Sequence, residues 1–237
     1  VFNLFVNVYT GTMNSSPTTP VRSVEKKKKA TGEARQLRHQ ALAGVRRELI
    51  LDAARSVFFE LGMEKTSIRE IALRAGYTPG AIYSYFASKE ELYGALLAGS
   101  LDRLNAGVED AIKDRDVGSD SLRAAARAFF DFYRENPRDL DLGFYLFQGM
   151  KPRGLTPELN ETLNARLRNA LQAAQDALQH LGLPPEKAVA EVTALFAHTV
   201  GLLVLSHTGR IRMFRQASQD LFDTYLEQLV SRVQLHA

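Results

Sequence analysis

From Arg46 onward, apolar residues recur at three- and four-residue steps, interrupted by Gly, Pro and capping residues, which predicts an all-α chain. Leu49, Ile50, Ala53, Ala54, Val57, Phe58 and Leu61 form the apolar stripe of a first helix, stopped by Gly62. Ser67 and Glu70 have capping-box spacing, hydroxyl and carboxylate each satisfying a free amide, and open a short second helix with Ile68, Ile71 and Ala72 inward. It ends at Ala75-Gly76. Thr78 caps a third helix with Pro79 first, where a missing amide proton costs nothing. Ser88 and Glu91 repeat the capping box and open a long fourth helix to about Lys113. Gly118, Asn136-Pro137, Gly149 to Gly154, Thr156-Pro157, Gly182 to Pro185 and Thr208-Gly209 then set off five further helices, at about 119–135, 137–150, 156–181, 185–208 and 212–234.

Two short helices joined by a Gly-containing turn, after a longer one, are a helix-turn-helix. Ile82 and Phe86, four apart, must face the core with Ile71 and Ala72. The opposite face of the third helix therefore presents Pro79, Gly80, Tyr83 and Ser84, with Tyr85 at its border. Hydroxyls beside a glycine suit a surface that approaches a phosphate backbone.

The run Thr66-Ser67-Ile68-Arg69-Glu70-Ile71-Ala72, then Ala75-Gly76-Tyr77-Thr78-Pro79-Gly80-Ala81-Ile82-Tyr83-Ser84-Tyr85-Phe86, then Ser88-Lys89-Glu90-Glu91-Leu92, resembles the DNA-binding domain of the tetracycline-repressor (TetR) family over about residues 46–95. The bland alternative is a capped three-helix module that binds no DNA. The resemblance implies an N-terminal three-helix DNA-binding domain (46–95) and a C-terminal helical bundle for ligand binding and dimerisation (96–237), about nine helices in all. Position by position, it implies that Ser67 binds phosphate with Thr66 and Arg69 beside it. Thr78, Pro79 and Gly80 would begin the groove-facing helix, Tyr83, Ser84 and Tyr85 would continue its surface, and Lys89 would clamp phosphate. Helix amino termini attract anions, which supports Ser67 and Lys89 independently. One departure stands out: no Arg, Lys, Asn or Gln lies between Tyr77 and Phe86. The strongest bidentate base contacts are missing, so base reading falls to the Thr78 and Ser84 hydroxyls, apolar contacts from Pro79 and Ala81, and DNA shape.

In the second half, Phe129, Phe130, Phe132, Tyr133, Phe144, Tyr145 and Phe147 lie on two successive helices. They either pack a core or line an apolar pocket with Gln148 and Met150. The candidate lining is Phe129, Phe132, Tyr133, Phe144, Tyr145, Phe147, Gln148 and His198, for a small hydrophobic or aromatic ligand. Family members pair their last two helices across a two-fold axis. The residues here matching that role are Val192, Phe196, Val200, Leu203, Phe222, Tyr225 and Leu229, some of which core burial explains equally well. A homodimer also suits a short recognition helix, which reads too few bases alone.

Composition narrows the picture. With 237 residues, 45% hydrophobic and 24% charged, the chain is globular, and zero Cys excludes disulfides and thiolate zinc sites. The formal +3 charge is uneven: residues 1–47 carry nine Lys/Arg against two acids, the remainder 21 against 25. Residues 1–45 read as a basic arm without regular structure, rich in Ser, Thr, Pro and Lys from Thr10 to Thr31, and either a solvated tail or a DNA-contacting element. Met13 is a second candidate start, and nothing near Val1 resembles a signal peptide. Val192 to Gly209 holds no Asp, Glu, Lys or Arg, but its Thr, Ser and His residues favour a buried helix over a membrane span, so no membrane partner and a cytoplasmic location are expected.

There is no phosphate-cradling Gly loop, nucleophile elbow or His-Glu zinc helix. His198 and His207 sit about 180° apart around a helix and cannot share a metal. No enzyme, cofactor or metal site is expected, and Arg210, Arg212 and Arg215 are a candidate anion site only. The expected function is a homodimeric, ligand-responsive regulator, most simply a repressor, that binds a palindromic double-stranded operator and is released by a small apolar ligand. The alternative is a DNA-binding protein of this fold without a small-molecule effector, controlled by a protein partner or acting architecturally.

Overall fold

A computed structural model describes residues 21–144 and 155–236, and every regular element among them is helical. They are α1 (Val21–Lys65), α2 (Ile68–Ala75), α3 (Pro79–Tyr83), α4 (Lys89–Ile112), α5 (Ser119–Glu135), α6 (Pro137–Phe144), α7 (Pro157–His180), α8 (Pro185–His207), a 3-10 helix (Arg210–Phe214) and α9 (Ser218–His236). Contacts divide the chain into two units, Val1–Arg46 and Arg47–Ala237.

In the first unit the helix starts at Val21, inside the stretch expected to lack regular structure. The reason is composition: from Glu25 to Ala43 the chain is almost entirely Lys, Arg, Glu, Gln, Ala and Leu, the strongest helix formers. An absence of apolar periodicity therefore signalled a lack of packing, not a lack of helix.

In the second unit α1 buries Ile50, Ala54, Val57 and Phe58, while Leu49 and Leu61 stay exposed at the stripe's edges. The helix is broken at Gly62, whose backbone (φ 74°, ψ 166°) is one that side chains rarely adopt. α2 contributes Ile68, Ile71 and Ala72 to the core, and α3 contributes Ile82. Phe86, beyond α3, is also buried, its amide bonded to the Ile82 carbonyl at 3.0 Å.

α4, α5 and α7 make up the centre of the bundle. α4 and α7 touch where Gly94 leaves the backbone bare: a Cβ there would lie 2.4 Å from Leu159 Cδ2, so Leu159 occupies the space a side chain would need. Further along, Asn105 Nδ2 donates to the Arg166 carbonyl (3.1 Å), and Arg166 pairs with Asp102 (2.8 Å). Tyr93 lies edge-on to Phe58 (5.6 Å), and its hydroxyl donates to the Leu142 carbonyl at 2.6 Å. α5 meets α9 through a Phe130–Phe222 stack (4.3 Å) and through Arg123–Glu227 and Arg127–Asp223 pairs. The hydrogen bond from Arg123 holds the Glu227 carboxyl below its ordinary range. Being half-exposed, such pairs contribute at most about 1 kcal/mol each.

Three expectations change here. The stretch 212–234 is not one helix: the 3-10 helix comes first, and Arg215 turns the chain with a left-handed backbone (φ 53°) before α9. Next, Leu203, Phe222 and Leu229, expected at an interface, are fully buried within their own chain, and Val192 nearly so. Phe196, Val200 and Tyr225 are half-buried.

The third concerns α8. It is long and apolar enough to cross a membrane, yet only 33% of its most apolar window is buried. The open face carries Val189 (48% exposed), Ala190, Thr193, Ala194, Ala197, Gly201 and Leu205 (36% exposed). Most of the large side chains turn inward, where they bury the most area, and the middle of the open face is left to Ala190, Ala194, Ala197 and Gly201.

Phe222→Ala should lower the unfolding free energy by about 3–5 kcal/mol, the cost of a large cavity in a packed core. Urea denaturation checks this. A loss near zero would mean that Phe222 is not packed inside the bundle.

Candidate nucleic-acid interface

α2 and α3 are held by their own caps. Ser67 Oγ accepts from the Glu70 amide (3.3 Å), while the Glu70 carboxylate accepts from the Ser67 amide and hydroxyl (both 2.8 Å). Gly76 closes α2, its amide reaching the Leu73 carbonyl at 3.3 Å. Thr78 Oγ1 accepts from the Ala81 amide (3.2 Å), placing Pro79 and Gly80 in the first turn of α3. Ser67, Arg69, Thr78, Pro79, Gly80, Tyr83 and Ser84 are exposed, and Tyr85 is half-buried. Tyr83 is 57% exposed and the most exposed aromatic ring of the module. Ser84 donates to the Ala81 carbonyl (2.7 Å), so toward solvent it offers acceptor lone pairs rather than a free donor.

Two expected contact residues have internal work instead. Thr66 is only 3% exposed, and its hydroxyl donates to the Gly62 carbonyl at 2.7 Å, closing the turn after the α1 break. Lys89 does not point to solvent. Its ammonium donates to the carbonyls of Met63 (2.8 Å), Thr66 (3.1 Å) and Glu64 (3.4 Å). A cation with three donors satisfies the unpaired carbonyls where α1 ends, and that position attracts positive charge.

Three of the module's other six cations also have partners. Arg74 forms a two-pronged pair with Glu60 (2.7 and 2.6 Å), holding that carboxyl below its usual range. Arg55 pairs with Asp52 (2.9 Å), and Arg47 reaches Glu48 (3.5 Å) and lies over the Phe86 ring (5.1 Å). Arg46, Lys65 and Arg69 have no ion-pair partner among the described residues.

A cavity of about 230 Å³ lies between α4, α5, α6 and α7, lined by Leu97, Leu101, Tyr133, Gly143, Phe144, Asn160, Leu163, Asn164 and Leu167. Of the expected lining, Tyr133 and Phe144 are in place. Phe129 and Phe132 instead brace the Tyr133 ring from behind, at 5.3 and 5.1 Å. Tyr145, Phe147, Gln148 and Met150 fall outside the described residues. His198 is elsewhere, stacked on Tyr225 at 4.1 Å between α8 and α9, with Nε2 buried and unpartnered. Burial holds the Tyr133 hydroxyl in its protonated form by pushing its pKa up, and no bond to that hydroxyl is made among the described residues.

Residues 50–96 match the family model for bacterial regulatory proteins of the tetR family, and residues 122–229 match a tetracyclin repressor-like C-terminal domain. The chain belongs to the TetR family. Among TetR-type relatives, the transcriptional activator FasR of Mycolicibacterium smegmatis is 39% identical over 99 residues, 42% of this chain and 45% of that protein. The transcriptional repressor KstR2 of Mycobacterium tuberculosis is 37% identical over 86 residues, 36% of this chain and 43% of that one. The chain thus spans less than half the length of these curated relatives. A crystal structure of FadR from Bacillus subtilis in complex with stearoyl-CoA shares the fold, with a TM-score of 0.60 at 21% identity over 78% of this chain and 97% of that one.

Reading this TetR chain by its aromatics missed most of the cavity, whose wall is Leu97 and Leu101 from α4 with Leu163 and Leu167 from α7. The available signal was Asn160 and Asn164, polar residues four apart beside that leucine stripe. Thr66 and Lys89 gave no local signal, because their partners are set by where α1 ends.

Lys89→Met leaves three carbonyls without their cation and should lower stability by about 1.5–3 kcal/mol in urea denaturation without DNA. A change under about 0.5 kcal/mol, the scatter of neutral surface substitutions, would show the ammonium is not engaged there. Burial depresses the His198 pKa, so the unfolded chain takes up its proton first as pH falls. His198 therefore costs no stability above its unfolded value of about 6.5, and stability declines as pH drops through and below that value. The melting temperature of wild type should fall between pH 7 and pH 5 more steeply than that of His198→Phe. Equal slopes would refute a buried neutral imidazole.

Proposed function

We propose that this protein is a homodimeric transcriptional regulator that binds a palindromic operator through α2 and α3 and changes affinity when a small apolar ligand fills the cavity behind α4. The observation that carries the reading is the exposed set Ser67, Thr78, Pro79, Gly80 and Tyr83 on a capped helix-turn-helix of matching family. Residues 46–95 then form the reading head and 96–237 the sensing and pairing region. With no long cation on α3, the proposed contacts are the Thr78 and Tyr83 hydroxyls donating to phosphate, close backbone approach at Gly80, and apolar contact from Pro79 and Ala81 to thymine methyls. Arg69, exposed beside Ser67, is the module's proposed phosphate-directed cation in place of Lys89.

The second copy is proposed to cover the open face of α8, where Ala190, Ala194, Ala197 and Gly201 permit close helix approach. A leucine-walled cavity that also holds the protonated Tyr133 hydroxyl and the Asn160 and Asn164 carboxamides suits a mainly apolar molecule with a few polar groups. FadR, a protein of the same fold, was solved in complex with stearoyl-CoA, which supports ligand binding by a protein of this fold. Coupling would run through α4, which carries Leu97 and Leu101 in the cavity wall and Lys89 at the reading head. A ligand that fits one α4 position better than another shifts DNA affinity by that difference. We read the protein as a repressor acting in the cytoplasm, since a dimer seated across a palindrome blocks other proteins from it.

Selection of bound duplexes from random DNA should yield a palindrome with half-site centres about 10 bp or a multiple apart. Tyr83→Phe removes one net hydrogen bond per half-site and should then weaken binding of the dimer roughly 25-fold. Failure to retain any preferred sequence at moderate salt would overturn the proposal.

A further inference from the structure

The reading head is poor in free charge. Residues 46–95 hold seven Lys/Arg and seven Asp/Glu, and α3 has no cation at all. Four of the seven cations are committed: Arg47, Arg55 and Arg74 to carboxylates, and Lys89 to backbone carbonyls. Yet duplex DNA is bound chiefly by neutralising phosphates, and each contact adds about 0.9 to the slope of log K against log salt. Three uncommitted cations per head supply little of that.

The missing charge lies next to the head in the chain. Arg22, Lys26, Lys27, Lys28, Lys29, Arg35 and Arg38 face only Glu25 and Glu33 over the same stretch. The segment is helical from Val21, and Arg35 and Arg38 are exposed with no ion-pair partner among the described residues. We propose that residues 22–38 form a second, sequence-independent DNA-binding element that supplies most of the phosphate contacts and leaves base reading to α2 and α3. It rests on the DNA-binding reading above. No fixed orientation is needed, because covalent attachment alone keeps this charge at high effective concentration beside the duplex.

The test uses the full-length chain with Lys26, Lys27, Lys28, Lys29, Arg35 and Arg38 all changed to Gln, which keeps helix propensity close to that of the residues replaced. Circular dichroism confirms that helix content is retained. The salt slope should become shallower by roughly three to five units. Affinity at a given salt should fall by the same factor for the selected palindrome and for a random duplex of equal length, leaving their ratio unchanged. An unchanged slope with wild-type affinity overturns the proposal and leaves the DNA-binding function standing. A fall confined to the palindrome overturns it too, since the segment would then be reading bases. So does intact DNA binding combined with lost binding to vesicles of anionic phospholipid, which assigns the charge to a membrane surface. If wild type binds neither duplex, the proposal and the functional reading fall together.

Discussion

The ammonium of Lys89, seated on three carbonyls where α1 ends, is the contact on which the arrangement of the second unit turns. It pins the first residue of α4 to the break after Gly62, and α4 then runs from the helix-turn-helix into the centre of the bundle. Around it the same joint is reinforced by Tyr93, which touches Phe58 on one side and donates to Leu142 on the other. One helix therefore packs on both the helix-turn-helix and the bundle, within a single continuous core. Repacking around either end of α4 is felt at the other, which is what the proposed coupling requires.

What the sequence made legible was whatever is decided within four or five residues. Ser67 with Glu70, Thr78 before Pro79 and Ser88 with Glu91 are local chemistry, and the helix starts they announce appear where expected. Lys89 was assigned by family position to phosphate, but its nearest acceptors lie more than twenty residues upstream and become visible only once α1 is known to break at Gly62. Leu203, Phe222 and Leu229 were placed at an interface for a related reason. α8 carries apolar residues on both its packed and its open face, and only side-chain size separates Leu203 from Ala197. His198 was placed with the aromatics by composition, whereas its partner is Tyr225 on the neighbouring helix.

The family match and the charge distribution sharpen each other. A near-neutral head with a short, uncharged recognition helix is suited to shape and hydroxyl contacts, which discriminate among sequences without holding DNA tightly. Affinity and selectivity can then reside in different parts of the chain and change independently. The proposed separation also makes sense of a helix-forming segment with a large excess of positive charge ahead of a module in which three of five arginines form internal pairs.

In the proposed coupling, the bare backbone at Gly94, filled by Leu159, would act as a fulcrum. Sliding α4 along α7 would drive that leucine out of its seat, whereas tilting α4 about it does not. On one side the lever arm to Leu101 is about 10 Å, and on the other the arm to Lys89 is about 7 Å, at 1.5 Å per residue. In that coupling, a tilt would pass through Lys89 to the break in α1 a displacement of opposite sense and somewhat smaller size than the one imposed at Leu101.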